Sequence, residues 1–208
     1  MVLKHYFWYF KNAISPKTCD DIVNIGLLRR KKLATVGDYK ENHKYSIKEK
    51  KKLLQVRDSN IVWLSEPWIY GHLNYFIHTA NKNAGWNFDW DWNESSQFTI
   101  YKKNQFYNWH CDSSEEPYPP HYNKNIAGKI RKLSLTVQLS DPKDYKGGEF
   151  MFDFCNSKDR KAEIFYPKDI LSRGTVIVFP SFIWHKVAPV TKGTRYSLVN
   201  WSLGKPFK

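Results

Sequence analysis

Apolar residues recur at two different spacings along this chain, and the change of period near Trp86 divides it. Upstream, Cys19, Ile22 and Val23 form a stripe behind Ser15 and Pro16. Proline directly after serine is a helix start, because the first turn leaves unused the amide hydrogen that proline lacks. A second stripe, Ile69, Leu73, Phe76, Ile77 and Ala80, predicts a helix from about Pro67 to Asn83, and Phe7 to Phe10 reads as a short strand. From Trp86 the spacing is two. Trp86, Phe88, Trp90 and Trp92 alternate with Asn87, Asp89, Asp91 and Asn93, which predicts a strand with a large aromatic face. Its rings either pack in the core or wall a substrate groove. Further strands near 97–103, 132–140, 149–154, 174–180 and 194–203 follow at short intervals with turn residues between them. That rhythm predicts an antiparallel jelly roll rather than a parallel α/β sheet.

Within the 132–140 strand, Leu133, Leu135, Val137 and Leu139 share one face, and Ser134, Thr136, Gln138 and Ser140 share the other. Such a strand has either its polar face in water or that face lining a pocket, with the apolar one under helices. The C-terminal segment from His185 to Trp201 reads as strand, turn and strand, with Lys192 and Gly193 at the turn. Period two then places Arg195, Ser197, Val199 and Trp201 on one face. The proline-rich stretch between Asp112 and Lys132 is unsuited to a central strand and reads as a loop, either a lid or substrate-binding element or simply mobile.

His110 and Asp112 carry the candidate chemistry. In an extended segment, side chains two apart leave the same face about 6.5–7 Å from one another, so this pair can converge on one ion while Cys111 points away. On a helix the pair diverges. With His185 they make two imidazoles and one carboxylate, a set that leaves coordination positions open, as in non-heme Fe(II) oxygenases, rather than closing around structural zinc. Among seven histidines a lone His-x-Asp tripeptide is weak. Arg195 strengthens it, since a guanidinium grips a carboxylate through two parallel hydrogen bonds. Its alternative is a solvated charge at a strand end.

On these residues the chain resembles the 2-oxoglutarate and Fe(II)-dependent dioxygenases, specifically the prolyl 4-hydroxylase-like branch with PKHD-type and phage-encoded hydroxylases. The resemblance runs from Phe7 to Cys19, Gln97 to Asp112, Lys132 to Leu139, Gly147 to Phe150, Gly174 to Pro180 and His185 to Trp201. It implies His110, Asp112 and His185 as iron ligands, and Arg195 as partner of the 2-oxoglutarate C5 carboxylate. It also implies Tyr101, Thr136, Gln138, Ser197 and Trp201 around the cosubstrate, although relatives often carry tyrosine at the Gln138 position. Fe(II), 2-oxoglutarate and dioxygen are the implied cofactors, with ascorbate as a supporting reductant. Because a carboxylate stands at 112, where related halogenases have a small residue, hydroxylation is the implied reaction, on a polypeptide and most of all on proline. The implied fold is mainly β with flanking α: a double-stranded β-helix core over about 86–204 with N-terminal helical support over about 1–85, in one domain.

Composition adds bounds. The 208 residues suit one domain able to bury a core without disulfides. Cys19, Cys111 and Cys155 have no paired or zinc-like spacing, and with no secretory signal or membrane span legible, a reducing, cytoplasmic setting is expected. The net charge of +13 is concentrated at Arg29–Lys32, Lys48–Lys52 and Lys129–Lys132 within and beyond a basic insert spanning about 29–52. These clusters are either a solvated surface or an attraction for nucleic acid or an acidic protein. A nucleic-acid-directed oxygenase and a non-catalytic jelly-roll binding protein therefore stand as alternatives. Oligomeric state is not legible.

Overall fold

Ser15 caps the first predicted helix, Pro16–Leu28, its hydroxyl accepting from the Thr18 amide at 3.1 Å. In this computed structural model, which describes residues 3–34, 46–154 and 164–207, the second helix occupies Pro67–Asn83 as the stripe predicts. Both turn their apolar stripes inward, so that Cys19 and Ile22 share a core with Ile69, Leu73, Ile77 and Ala80. Gly26 sits so close to this core that a Cβ there would lie 2.3 Å from the Phe98 ring.

The basic insert contains an unpredicted helix, Ile47–Val56. Ser46 and Glu49 form a reciprocal cap: the Ser46 amide donates to the Glu49 carboxylate at 2.7 Å, and the Glu49 amide to the Ser46 hydroxyl at 3.3 Å. That serine and glutamate three apart were a legible start signal hidden by the lysines around them. Residues 35–45 of the insert lie outside the described residues.

Among the described residues, two antiparallel sheets and a two-stranded ribbon make up the β structure. The larger sheet runs in the order Trp8–Phe10, Val176–Pro180, Ile130–Gln138, Arg195–Gly204, Ser96–Tyr101, Asn60–Leu64, Lys32–Leu33, with Trp92–Asn93 also beside Arg195–Gly204. The smaller runs Ile164–Phe165, Phe150–Asp153, Trp184–Val187, Phe106–His110, Arg57–Asp58. This is the expected mainly β, double-stranded β-helix arrangement, with both sheets also recruiting strands from before residue 65. Leu133, Leu135, Val137 and Leu139 pack with the helices, which leaves the polar face of their strand toward the smaller sheet.

Two expectations need correction. Residues 86–91 are not a strand; only Trp92–Asn93 pairs. Gly85 and Asn87 take φ of 71° and 50°, which breaks an extended run. Asn81, on the preceding helix, clamps the segment by donating to the Phe88 carbonyl at 2.9 Å and accepting from the Phe88 amide at 3.0 Å. Trp86 and Phe88 pack in the core, as the first of the two readings had it. Lys192 and Gly193 are not a free turn either. Val190–Gly193 is a strand of its own, paired with Tyr145–Gly147. Gly193 approaches the Asp144 carbonyl so closely that a Cβ would lie 2.1 Å from it.

Truncating Asn81 to alanine strands the main-chain donor and acceptor of Phe88. The expected loss is about 2 kcal/mol, read as a lowered urea midpoint with unchanged slope.

Candidate active site

Two adjacent antiparallel strands bring the histidines together. His185 on Trp184–Val187 stands directly opposite His110 at the end of Phe106–His110, with ring centroids 4.1 Å apart. The chain then turns, and the Asp112 and Ser113 amides both donate to the Ser181 carbonyl, at 2.8 and 2.9 Å. This fixes the Asp112 carboxylate between the rings: Oδ1 lies 3.7 Å from His110 Nε2 and Oδ2 3.6 Å from His185 Nε2. Ser134, from the polar face of the larger sheet, donates to Oδ2 at 2.7 Å. One donor atom from each of the three residues falls within 4.8 Å of the others.

Tautomers follow from the partners. A main-chain carbonyl can only accept, so Nδ1 of His110 donates to Asn108 at 2.8 Å and Nδ1 of His185 to Ile183 at 2.9 Å. In the neutral rings both Nε2 lone pairs are thereby turned toward Asp112, the orientation a shared cation requires. Burial, and next the neighbouring His185, hold His110 at about 3, far below its ordinary 6.5. Burial alone would raise Asp112, but the imidazoles, Arg131 and the Ser134 hydroxyl outweigh it and hold the carboxyl at about 2. Neutral imidazole beside ionised carboxylate is a metal-ready donor set.

A cavity opens from these residues. Tyr101, Thr136, Arg195, Ser197 and Trp201, all picked out from the sequence, line it, as does Val199 from the same strand face. Gln138 does not. It lies behind Arg195 and accepts from Nη2 at 2.8 Å. Arg195 is only 1% exposed and its Nε has no partner among the described residues, nor has the Nε2 of Gln138 or the Nε1 of Trp201. Buried donors left without acceptors are costly, so this lining suits a ligand rich in acceptor oxygens. Gly148 makes room for Arg195, because a Cβ there would come within 3.0 Å of its Cδ.

Sequence reasoning missed Arg57, Gln97, Tyr107, Phe150, Phe179 and Val187 in the lining. Tyr107 stacks on His110 with centroids 3.4 Å apart and planes 12° from parallel. Counting by two puts residues 107 and 110 on opposite faces. A bulge opposite His185 and Val187 puts them on the same one. Arg57 had no signal beyond its charge.

The third basic cluster is built into the fold instead of forming a free surface. Arg131 pairs with Glu94 through two bonds of 2.8 and 2.7 Å and lies 3.9 Å over the Trp201 ring. Lys129 pairs with Asp91 at 2.6 Å, and the Lys132 ammonium lies 3.5 Å from the Phe207 ring centroid. The proline-rich loop is tied to the same glutamate, since the Tyr118 hydroxyl donates to Glu94 at 2.9 Å. Among the described residues, Cys19 and Cys111 are free thiols and no helix is long and apolar enough to cross a membrane.

Comparison with known proteins agrees with the fold. The profile of the 2OG-Fe(II) oxygenase superfamily matches residues 96–203, and the chain belongs to that superfamily. A PKHD-type hydroxylase of Maricaulis maris is 39% identical over 85 residues, 40% of this chain and 35% of the relative. One from Gloeothece citriformis is 45% identical over 87 residues, 40% of this chain and 36% of the relative. The chain thus spans well under half the length of the curated relatives it matches. Among solved structures, a viral collagen prolyl hydroxylase of Paramecium bursaria Chlorella virus 1, in complex with 2-oxoglutarate, superposes with a TM-score of 0.61 at 19% identity, covering 97% of each chain. A Pseudomonas putida prolyl-4-hydroxylase gives 0.61 at 15%, covering 98% of this chain and 95% of the other. Both likenesses are of fold.

Because folding depresses the His110 pKa, the unfolded chain takes up a proton that the folded one refuses as pH falls through 6.5 toward 3. Stability is therefore lost on acidification in that window. At about pH 5 the loss from this group is about 2 kcal/mol. Urea midpoints of chelator-treated protein at neutral pH and near pH 5 check it: the His110→Gln variant should show a difference smaller by that amount, and an unchanged difference contradicts the burial of a neutral ring.

Proposed function

We propose that this protein is an Fe(II)- and 2-oxoglutarate-dependent dioxygenase that hydroxylates a polypeptide residue, with proline the favoured target. The observation that carries the reading is the His110, Asp112 and His185 cluster at the foot of a cavity that also holds Arg195, buried and without a carboxylate partner among the described residues. His110, Asp112 and His185 would hold the iron. Arg195, with Gln138 behind it, would take the far carboxylate of the 2-oxo acid, and Tyr101, Thr136 and Ser197 would border its chain. Trp201 would wall the substrate side, steadied by the Arg131 guanidinium on its ring.

With dioxygen, the iron and 2-oxoglutarate supply the oxidising chemistry, by which the 2-oxo acid becomes succinate and CO2 and an oxygen atom enters a substrate C–H bond. The protein's own part is placement. Ser134 and the Ser181 carbonyl hold the Asp112 segment, the Asn108 and Ile183 carbonyls fix both imidazoles, and Tyr107 packs flat on His110. Phe150, Phe179 and Val187 line the cavity with hydrocarbon and exclude water from its metal end. The PKHD-type and prolyl hydroxylases that the chain resembles support a polypeptide substrate with proline preferred. The Arg131–Glu94 and Lys129–Asp91 pairs neutralise one of the basic clusters that would favour nucleic acid as the substrate.

Succinate formation from 2-oxoglutarate, with proline-containing peptides and oligonucleotides as rival stimulants, tests the reading. Peptides should raise turnover and oligonucleotides should not. Arg195→Ala should raise the 2-oxoglutarate concentration needed by at least about thirtyfold while iron binding persists. Stimulation by oligonucleotides alone, or wild-type turnover in the Arg195 variant at the same cosubstrate level, contradicts it.

A further inference from the structure

Arg57 is a second buried guanidinium in this cavity, and the proposed cofactors leave it without an anion. It is 5% exposed, comes from the short Arg57–Asp58 strand at the edge of the smaller sheet, and lies upstream of the 96–203 segment that the superfamily profile covers. Its Nε donates to the Ser59 hydroxyl at 2.9 Å, and its guanidinium carbon lies 4.3 Å from the centre of the Tyr107 ring. Tyr107 in turn lies flat on His110. Arg57 is thus the outer member of a stack that ends on a candidate iron ligand, and it acts on the neighbouring Tyr101 hydroxyl as well.

Among the described residues no carboxylate pairs with it. Asp58, next in the strand, accepts from Gln105 at 2.7 Å. Asp112 is the one acidic residue in the cavity lining, and its oxygens face the two imidazoles and Ser134. Arg131 is matched by Glu94. A buried cation without an anion is expensive, and a ring face offsets only part of that cost.

Counting charges with the proposed cofactors present sharpens the point. A divalent iron, the Asp112 carboxylate, doubly charged 2-oxoglutarate and Arg195 together cancel. Arg57 is left over. An anion entering the cavity would find one guanidinium unmatched, lying over the Tyr107 ring that stacks on His110, while Arg195 is the guanidinium backed by Gln138.

We propose that Arg57 is a substrate-recognition residue which selects a carboxylate close to the carbon attacked, carried either by the attacked residue itself, as at a chain terminus, or by an acidic neighbour. The proposal rests on the dioxygenase reading above and narrows its substrate to an anionic one. Arg57 is well suited to the task, since its fork can donate to both oxygens of a carboxylate while its flat face stays on Tyr107. A neutral peptide amide at the same place would leave the cation desolvated and unpaired.

The test compares a neutral proline probe with two acidic ones. Anaerobic protein loaded with Fe(II) and 2-oxoglutarate is titrated calorimetrically with N-acetyl-L-proline, with N-acetyl-L-prolinamide, and with N-acetyl-L-prolyl-L-glutamic acid α-amide, whose only carboxylate is on the neighbouring side chain. At least one acid should bind roughly tenfold or more tighter than the prolinamide, the size expected of a charge-assisted contact. Which acid wins tells the attacked residue from its neighbour as the source. Arg57→Gln should bring that ratio to about one, and Arg57→Lys should keep part of it. A merely structural Arg57 would weaken acid and amide alike and leave the ratio standing, which overturns the proposal. So does a wild type that binds 2-oxoglutarate yet treats all three probes equally, a result that needs no variant to fold. A wild type that takes up neither iron nor 2-oxoglutarate sinks the dioxygenase reading and this proposal with it.

Discussion

A carboxylate buried between two imidazoles is the constraint on which the rest of the site depends. Asp112 joins the two sheets: its main chain is held by Ser181, its side chain by Ser134 of the larger sheet, and its oxygens face histidines of the smaller one. Left without a cation, the arrangement places an ionised group in a low-dielectric setting beside His110, which burial keeps from protonating easily. A shared metal ion resolves that conflict, because it supplies the positive charge that neutral imidazoles lack. The surrounding hydrogen bonds then read as orientation devices, each fixing one donor atom.

The same electrostatic logic extends outward. Arg131 sits deep against Trp201, and although burial works against its charge, Glu94 holds the guanidinium firmly ionised. Tyr118 joins that glutamate, so the proline-rich loop, the Trp201 wall and the Asp112 environment share one network. Arg195 and Arg57 are different. They are buried and lack carboxylate partners among the described residues, as the ligand-binding roles proposed for them require.

Much of this was legible because strands alternate. Period two in Lys132–Leu139 separated an apolar face, which packs with the helices, from a polar one, from which Thr136 lines the pocket and Ser134 bonds Asp112. The same count put Arg195, Ser197, Val199 and Trp201 together. Alternation misled where the backbone departs from extended geometry. The aromatic run at Trp86–Trp92 has the rhythm of a strand, but left-handed Asn87 and the Asn81 clamp fold it back on a helix. The bulge before His110 hid Tyr107 in the opposite way. Arg57 was illegible for another reason: its meaning comes from pairing across to Tyr107, fifty residues away in sequence, and no local pattern encodes that contact.

Anaerobic titration of the metal-free protein with Fe(II) and then 2-oxoglutarate, followed in the visible range, tests the central claim most directly. A weak charge-transfer band from the chelated 2-oxo acid, present in wild type and absent from His110→Ala, is what a His110, Asp112 and His185 iron site predicts. A folded wild type that gives no band, or a band that survives loss of His110, would contradict it.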